Sequence, residues 1–438
     1  MNDPRRPNVV ILYADDLGWG DLGCFGADDI PTPHLDSLCR DGVKLSQWYS
    51  NSPVCSPSRA SLMTGKYPAR AGVESILGGT RHTPGLPPQP TLASHLRDRG
   101  YRTGLFGKWH LGADADYAPS HYGFDETFGF RAGCVDYYSH IFYWGAHNPV
   151  HDLWADDDEV WLNGEYLTTV IGERAADFIA RSAPNGPFFC YVPFNAPHYP
   201  MHAPAEHMDR VADLPDGRRE TAAMIAALDD AVGEVLRALD ESGTRDDTLV
   251  LMSSDNGPSR ESRNWLDGEE ISYDGGSAGG LRGSKGSVFD GGIRVPGILS
   301  WPAELPCGTE LDQAGMMMDV LPTVLHAVDG AAPEMLDVDG ISLLDALINV
   351  GDLAERPLVW TYEGQYAVRR GRHKLVVDGR EGMDPPATVD RALYDLEADP
   401  EESIDLSTEA PNVLLALEQD LAEYRAGAAT WVLKTESV

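Results

Sequence analysis

Residues 8–16 read Asn-Val-Val-Ile-Leu-Tyr-Ala-Asp-Asp, and residues 248–257 read Thr-Leu-Val-Leu-Met-Ser-Ser-Asp-Asn-Gly. Each is a short apolar run without polar alternation that stops abruptly at acids or amides. A strand covered on both faces has this texture, so strands are expected at 8–13 and 248–252 inside a largely parallel sheet. Residues 188–192 (Phe-Phe-Cys-Tyr-Val) form a third such run. Residues 219–242 place Ile225, Leu228, Val232, Val235, Leu236 and Leu239 at three- and four-residue spacings, which predicts an amphipathic helix. Shorter helices are expected at 91–100 and 319–328. The order helix, strand, acidic loop points to an α/β fold: a large, mostly parallel or mixed central sheet flanked by helices.

Beyond about residue 340 the texture changes. Residues 358–362, 365–370 and 373–378 are short segments separated by glycine and charge, as in an antiparallel meander, with a further strand at 388–395 and a terminal helix at 411–424. The expected organisation is a catalytic domain at 1–340 and a small C-terminal α+β subdomain at 341–438.

The 438 residues contain 69 Asp+Glu against 34 Lys+Arg, a formal charge of -35. Such a chain does not present the cationic surface that a nucleic-acid binder needs. It is not a disordered acidic chain either, because 42% of it is hydrophobic and it carries 10 Trp, 17 Tyr and 11 Phe. No stretch has the length of a membrane span, and the N-terminal apolar run is too short for a secretion signal. The expectation is a cytoplasmic protein with no membrane partner. Six widely spaced cysteines (24, 39, 55, 134, 190, 307) contain no CxxC pair and give no disulfide framework.

Asp15-Asp16 and Asp255-Asn256 both follow buried-strand candidates. In open α/β sheets ligands gather beyond the carboxyl ends of strands. Four oxygen-bearing side chains there would suit a hard cation such as Ca²⁺ or Mg²⁺, although Asp and Asn also follow strands simply as turn formers. The segment Cys55-Ser56-Pro57-Ser58-Arg59-Ala60-Ser61-Leu62-Met63-Thr64-Gly65 weighs toward chemistry. Pro57 is tolerated in a first helical turn and Gly65 suits a helix end. Cys55 would therefore stand at a helix N-terminus, where exposed N–H groups favour anions, with Arg59 one turn along.

Cys-x-Pro-Ser-Arg followed by Leu-Met-Thr-Gly resembles the signature of the type I, formylglycine-dependent sulfatases of the alkaline phosphatase superfamily. The wider pattern is similar too: Asp15-Asp16, Gly107-Lys108-Trp109-His110, Ala196-Pro197-His198, Asp255-Asn256-Gly257, Arg282-Gly283-Ser284-Lys285, and Leu393-Tyr394-Asp395-Leu396 with Asp399-Pro400-Glu401. The resemblance covers nearly the whole chain, in the family's order.

It implies an alkaline phosphatase-like fold and oxidation of Cys55 to Cα-formylglycine by a formylglycine-generating enzyme. The hydrated aldehyde would attack sulfur, and expulsion of the resulting ester by elimination would restore the aldehyde. By the same resemblance Asp15, Asp16, Cys55, Asp255 and Asn256 would hold one divalent metal, Ca²⁺ or Mg²⁺. Arg59 would brace the hydrate and the carboxylates. Lys108 and Lys285, two of only six lysines in the chain, would contact sulfate. His110 would take a proton from the hydrate and His198 would serve the leaving group, roles that could also be exchanged. If the segment 108–110 is extended, Lys108 and His110 point to one face.

Between Tyr137 and Tyr166 lie eight aromatic residues, including Trp144, Trp154 and Trp161, together with His140, His147 and His151. They would suit a sugar or aryl group, or equally a packed insertion whose rings bury one another. Residues 133–140 look similar to a segment of N-acetylgalactosamine-4-sulfatases and their bacterial relatives, which makes Ser139 and His140 candidate substrate contacts. The expected partner is a small carbohydrate or organic O-sulfate. The competing readings are a formylglycine-dependent phosphodiesterase or phosphonate monoester hydrolase, and a non-catalytic anion-binding relative. The sequence is silent on oligomeric state.

Overall fold

The structure is a computed structural model, which describes residues 6–144, 147–261, 273–333, 336–383 and 386–435. Its centre is a ten-stranded mixed sheet. From one edge the strands run Thr309–Leu311, Val43–Leu45, Gly297–Ser300, Thr248–Ser254, Asn8–Ala14, Phe188–Pro193, Arg102–Lys108, Glu126–Phe130, Trp154–Ala155 and Asp158–Glu159. The five strands from Thr248–Ser254 to Glu126–Phe130 are mutually parallel, and antiparallel pairs flank them on both sides.

The unbroken apolar run at the N-terminus has a direct structural cause. Along Asn8–Ala14, Val10, Leu12 and Ala14 face a core built with the helices Leu167–Ser182 and Arg218–Glu241. Val9, Ile11 and Tyr13 face a second core with the helices Cys55–Thr64, Leu92–Asp98 and Val320–Asp329. Both faces of the strand are dry, so period-2 polarity is absent. Truncating one of these side chains, Ile11 for example, leaves a cavity costing about 2–5 kcal/mol.

The small sheet is an antiparallel meander of Leu358–Tyr362, Gln365–Arg370, His373–Gly379 and Val389–Asp395. One face packs on the terminal helix Pro411–Thr435 through Leu414, Leu417 and Leu421. The other packs on Tyr49, Phe289 and Met318 of the larger part. The terminal helix runs past the expected end at Tyr424, because residues 425–435 contain strong helix formers and no proline. The short helix Leu344–Asn349 packs Leu344 and Leu347 into the large-sheet core, and the meander begins at Leu358. Across the seam, the buried Lys374 ammonium lies 2.7 Å from Asp290 and 2.8 Å from Glu402. All six cysteines are unpaired, and among the described residues no helix is long and apolar enough to cross a membrane.

Candidate functional site

Four neighbouring parallel strands end at the same edge of the sheet, and each releases a polar residue there. Asn8–Ala14 leads into Asp15-Asp16, Thr248–Ser254 into Asp255-Asn256, Phe188–Pro193 toward His198, and Arg102–Lys108 closes on Lys108 itself. The in-register pairing of Ala14 with Ser254 and of Tyr13 with Pro193 brings these ends level. Residues far apart in the chain are thereby gathered without any contribution from local sequence.

The strand carrying Lys108 escaped the sequence reading because it contains Gly104 and Gly107. Gly107 is required by space: a Cβ there would lie 1.9 Å from the Pro193 carbonyl oxygen, at a backbone φ of 132°.

Cys55 is the first residue of the helix Cys55–Thr64, every residue of which is buried, and Gly65 ends it in the left-handed conformation at φ 68°. The thiol lies 3.8 Å from Asp15 Oδ1. One turn on, Arg59 is fully buried. Its Nε and Nη2 donate to Asp255 Oδ2 at 3.0 and 2.7 Å, and Nη2 is 3.5 Å from Asp15. Lys108 Nζ donates to both Asp15 oxygens at 2.8 Å. Lys285, delivered by a glycine-rich loop, donates to Asp16 Oδ2 at 3.0 Å. Three buried carboxylates thus meet three buried cations.

Burial works against every charge in this set. It pushes the Asp15 carboxyl up to about 8, with Lys108 pulling the other way and Asp255 adding to the rise. Asp255 is buried too, but Arg59 and Lys108 outweigh that and hold it at about 2. Burial disfavours the Lys285 ammonium, yet Asp16 keeps it well above its ordinary value. Burial also raises the Cys55 thiol, so this environment does not favour a free thiolate.

The two histidines have assignable protons. The Tyr199 carbonyl, 2.8 Å from His198 Nδ1, can only accept, so Nδ1 carries hydrogen. His198 Nε2 then turns its lone pair to Lys285 Nζ at 3.3 Å, with Asp16 Oδ2 at 3.7 Å. The Leu77 carbonyl, 3.0 Å from His110 Nε2, fixes that proton in the same way and leaves Nδ1 buried without a partner among the described residues. Burial and then Lys108 hold His110 well below its ordinary value, the neutral state a proton acceptor needs.

The extended arrangement expected for 108–110 ends at Lys108. His110 adopts φ 53°, so its ring leaves the alternation and packs beside Gly133. Asp16 (φ 67°) and His140 (φ 57°) are also left-handed, which puts three sequence-nominated residues among the eight non-glycine positive-φ positions of the described chain. Such strain is held where the surroundings over-determine it, often at functional sites.

Ligand atoms of Asp15, Asp16, Cys55 and His198 lie within 4.8 Å of one another, a cluster able to hold a metal ion. Asn256 supplies a separate sign. Its Nδ2 donates to Asp16 Oδ1 at 2.7 Å and to the Gly257 carbonyl at 2.9 Å, both pure acceptors, so the amide cannot be turned over. Its Oδ1 is consequently buried with no hydrogen-bond partner among the described residues. A dry, unpartnered oxygen beside carboxylates fits a hard cation. Asp255 contributes differently from the expectation of a simple ligand: Arg59 takes Oδ2, and Oδ1 accepts from the Asp16 amide at 3.2 Å.

Ser139 and His140 are placed elsewhere. The Ser139 hydroxyl and amide both donate to the Asp136 carboxylate, and His140 Nε2 lies 3.2 Å from the Glu165 carbonyl, its ring edge-on to His151. No hydrogen bond or ion pair among the described residues joins either to the Cys55 cluster. The side chains of Trp144 and His147 lie outside the described residues. The sequence reading passed over Glu261, buried with a carboxylate oxygen 3.8 Å from Lys285. It also passed over Ser56, whose Oγ accepts from the Leu77 amide and so ties the nucleophile helix to the segment that holds His110. Glu261 follows Asp255-Asn256-Gly257 by only a few residues, a signal that could have nominated it.

The family model described as Sulfatase matches residues 7–331. Mouse (Mus musculus) arylsulfatase J is 31% identical over 474 aligned residues, covering 97% of this chain and 76% of its own. Human (Homo sapiens) N-acetylgalactosamine-6-sulfatase is 33% identical over 396 residues, covering 85% of this chain and 71% of its own. Among solved structures, Ps i-CgsB in complex with k-i-k-neocarrahexaose superposes with a TM-score of 0.84 at 28% identity, covering 96% of this chain and 93% of that one.

Proposed function

The chain belongs to the type I, formylglycine-dependent sulfatase family of the alkaline phosphatase superfamily, and from that premise we propose that it hydrolyses a sulfate monoester carried on a carbohydrate, with the assistance of one divalent metal. The observation that carries the reading is the setting of Cys55: the first residue of a fully buried helix, 3.8 Å from Asp15, within a ring of buried cations.

A sulfate monoester needs cations on its non-bridging oxygens, a held nucleophile and a proton for the leaving oxygen. Lys108 and Lys285 are point charges with three donors each, which can serve sulfate oxygens as well as Asp15 and Asp16. Arg59 stays bound to Asp255 and keeps the acidic wall rigid. Cys55, matured by a formylglycine-generating enzyme, would present a hydrated aldehyde: one hydroxyl attacks sulfur, and the lone pair on His110 Nδ1 accepts the proton of the other, so that the C–O bond to sulfate breaks and the aldehyde returns. His198 is poised on the Lys285 side to serve the leaving oxygen once protonated. Asp15, Asp16, Asn256 and the matured Cys55 would hold Ca²⁺ or Mg²⁺, which when bound polarises a sulfate oxygen.

The carbohydrate assignment draws on the likeness to N-acetylgalactosamine-6-sulfatase and on the carrahexaose bound by Ps i-CgsB. The test is a panel of sulfated mono- and oligosaccharides, aryl sulfates, phosphate diesters and phosphonates, ranked by kcat/KM, with the mass of the Cys55 peptide read on the same preparation. The expected result is sulfate release led by a saccharide, with the thiol replaced by an aldehyde. A fully active preparation that retains the thiol, or turnover led by phosphate diesters or phosphonates, would overturn the reading.

A further inference from the structure

Trp161 is 61% exposed, second only to Leu415 at 65% among the large apolar side chains of the described residues. A tryptophan left in water forgoes a large burial gain, and its exposure here is not slackness. Its ring lies parallel to that of His151, with centroids 3.6 Å apart and planes within 8°. His151 is itself buried and locked: its Nδ1 lies 2.9 Å from Glu159 Oε1, and its carbonyl accepts from Arg81 Nη2 at 3.0 Å. Arg81 closes the frame by donating to the same Glu159 oxygen at 2.6 Å and lying over the Trp154 ring at 5.3 Å. One indole face is therefore seated on a support that a guanidinium and a carboxylate hold in place, while the other meets solvent.

The shelf is joined through the sheet to the strand that closes on Lys108. In register, Gly107 pairs with Gly129, Gly129 with Trp154, and Trp154 with Glu159. Three strand spacings of about 4.8 Å put Glu159 about 14 Å from Gly107, the residue before Lys108. Trp161 follows Glu159 by two residues. A second connection runs through the segment 77–81: the Leu77 amide donates to Ser56 beside the nucleophile, its carbonyl holds His110, and Arg81 reaches the shelf. The offset of about 14 Å along this row exceeds the length of one sugar ring and suits a short oligosaccharide.

We propose that Trp161, supported by His151 and framed by Arg81 and Glu159, is a distal subsite that stacks a sugar ring and selects oligosaccharide sulfate esters over monosaccharide ones. The apolar face of a pyranose covers an indole, and its hydroxyls reach the flanking charged groups. The inference rests on the carbohydrate reading above.

The test uses the full, matured chain as wild type, Trp161→Ala and Trp161→Phe. Each is assayed on 4-nitrophenyl sulfate, on sulfated monosaccharides, and on sulfated galactan and glycosaminoglycan hexasaccharides. Trp161→Ala should lose about tenfold or more in kcat/KM on the hexasaccharide that wild type prefers, carried mainly by KM, the ratio given by about 1.4 kcal/mol of binding. It should stay level with wild type on the monosaccharide and aryl esters, and Trp161→Phe should recover most of the loss. Matching thermal melts establish that the variants are folded. An equal change on all substrates, no change on any, or an altered oligomeric mass with unaltered kinetics would overturn the subsite. Wild-type turnover of aryl sulfate with none of any saccharide would instead fail the carbohydrate reading and take the subsite with it.

Discussion

Arg59→Ala removes the side chain that joins two carboxylates of the acidic wall, Asp255 and Asp15. The guanidinium is fully buried and spends Nε and Nη2 on Asp255 Oδ2 at 3.0 and 2.7 Å, with a weaker bond of 3.4 Å to the Lys108 carbonyl. Without it, Asp255 is a dry carboxylate whose direct partner has gone. Breaking a buried pair from one side costs about 3–5 kcal/mol, against about 0.2–1 kcal/mol for an exposed pair. At an unfolding entropy of about 2.1 cal/mol/K per residue, the whole chain changes by about 0.9 kcal/mol per degree, so Tm should fall by about 3–5 °C.

Arg59→Lys retains the charge but cannot reproduce the fork, and should lie between wild type and alanine. The double variant Arg59→Ala/Asp255→Ala should be less destabilised than the sum of the singles, because it leaves no unpaired charge. Calorimetry of five proteins (wild type, Arg59→Ala, Arg59→Lys, Asp255→Ala and the double variant), with sulfate release measured alongside, is the assay. An alanine variant melting within about 1 °C of wild type and turning over normally would refute the claim that this ion pair holds the site.

Cys55→Ala should abolish turnover with an unchanged circular dichroism spectrum, since a small helix-terminal residue is replaced without opening a core cavity; residual wild-type activity would contradict the role of Cys55. Chelation with EDTA should lower Tm, by about 3 °C if the ion had been held at about a hundred times its Kd, and readdition of Ca²⁺ or Mg²⁺ should restore it. An unmoved melting curve would argue against a tightly held ion. Lys374→Ala should destabilise the small sheet by about 3–5 kcal/mol by stranding Asp290 and Glu402. Limited proteolysis should then release fragments from residues 358–435, and resistance equal to wild type would count against the seam. Ser139→Ala should cost about 1 kcal/mol by loosening the Asp136 turn and leave kcat unaltered; a selective loss of kcat would instead return Ser139 to the substrate.

Much of the architecture was readable because its causes are local. The strand Asn8–Ala14 announces itself by an apolar run that only two-sided burial explains, and Arg218–Glu241 by its spacing. Cys55 and Gly65 mark the ends of a helix through backbone chemistry that acts within a few residues. The helix Leu167–Ser182 carried the same periodic signal and went unread, whereas the strand bearing Lys108 was concealed by glycines that close packing demands.

By itself the sequence determined which groups the chain owns and where each sits on its element: acids after strands, a cysteine at a helix start, two lysines in unusual settings. Only the tertiary structure decided which groups meet. Arg59 reaches Asp255 across 196 residues, Lys108 reaches Asp15 across 93, and Lys285 reaches Asp16 across 269. Local periodicity encodes how a segment folds, but partners at such separations are chosen by the register of parallel strands and by the cost of leaving a buried charge alone. The same burial swung His110 away from the strand alternation onto the Leu77 carbonyl, and turned Ser139 to Asp136.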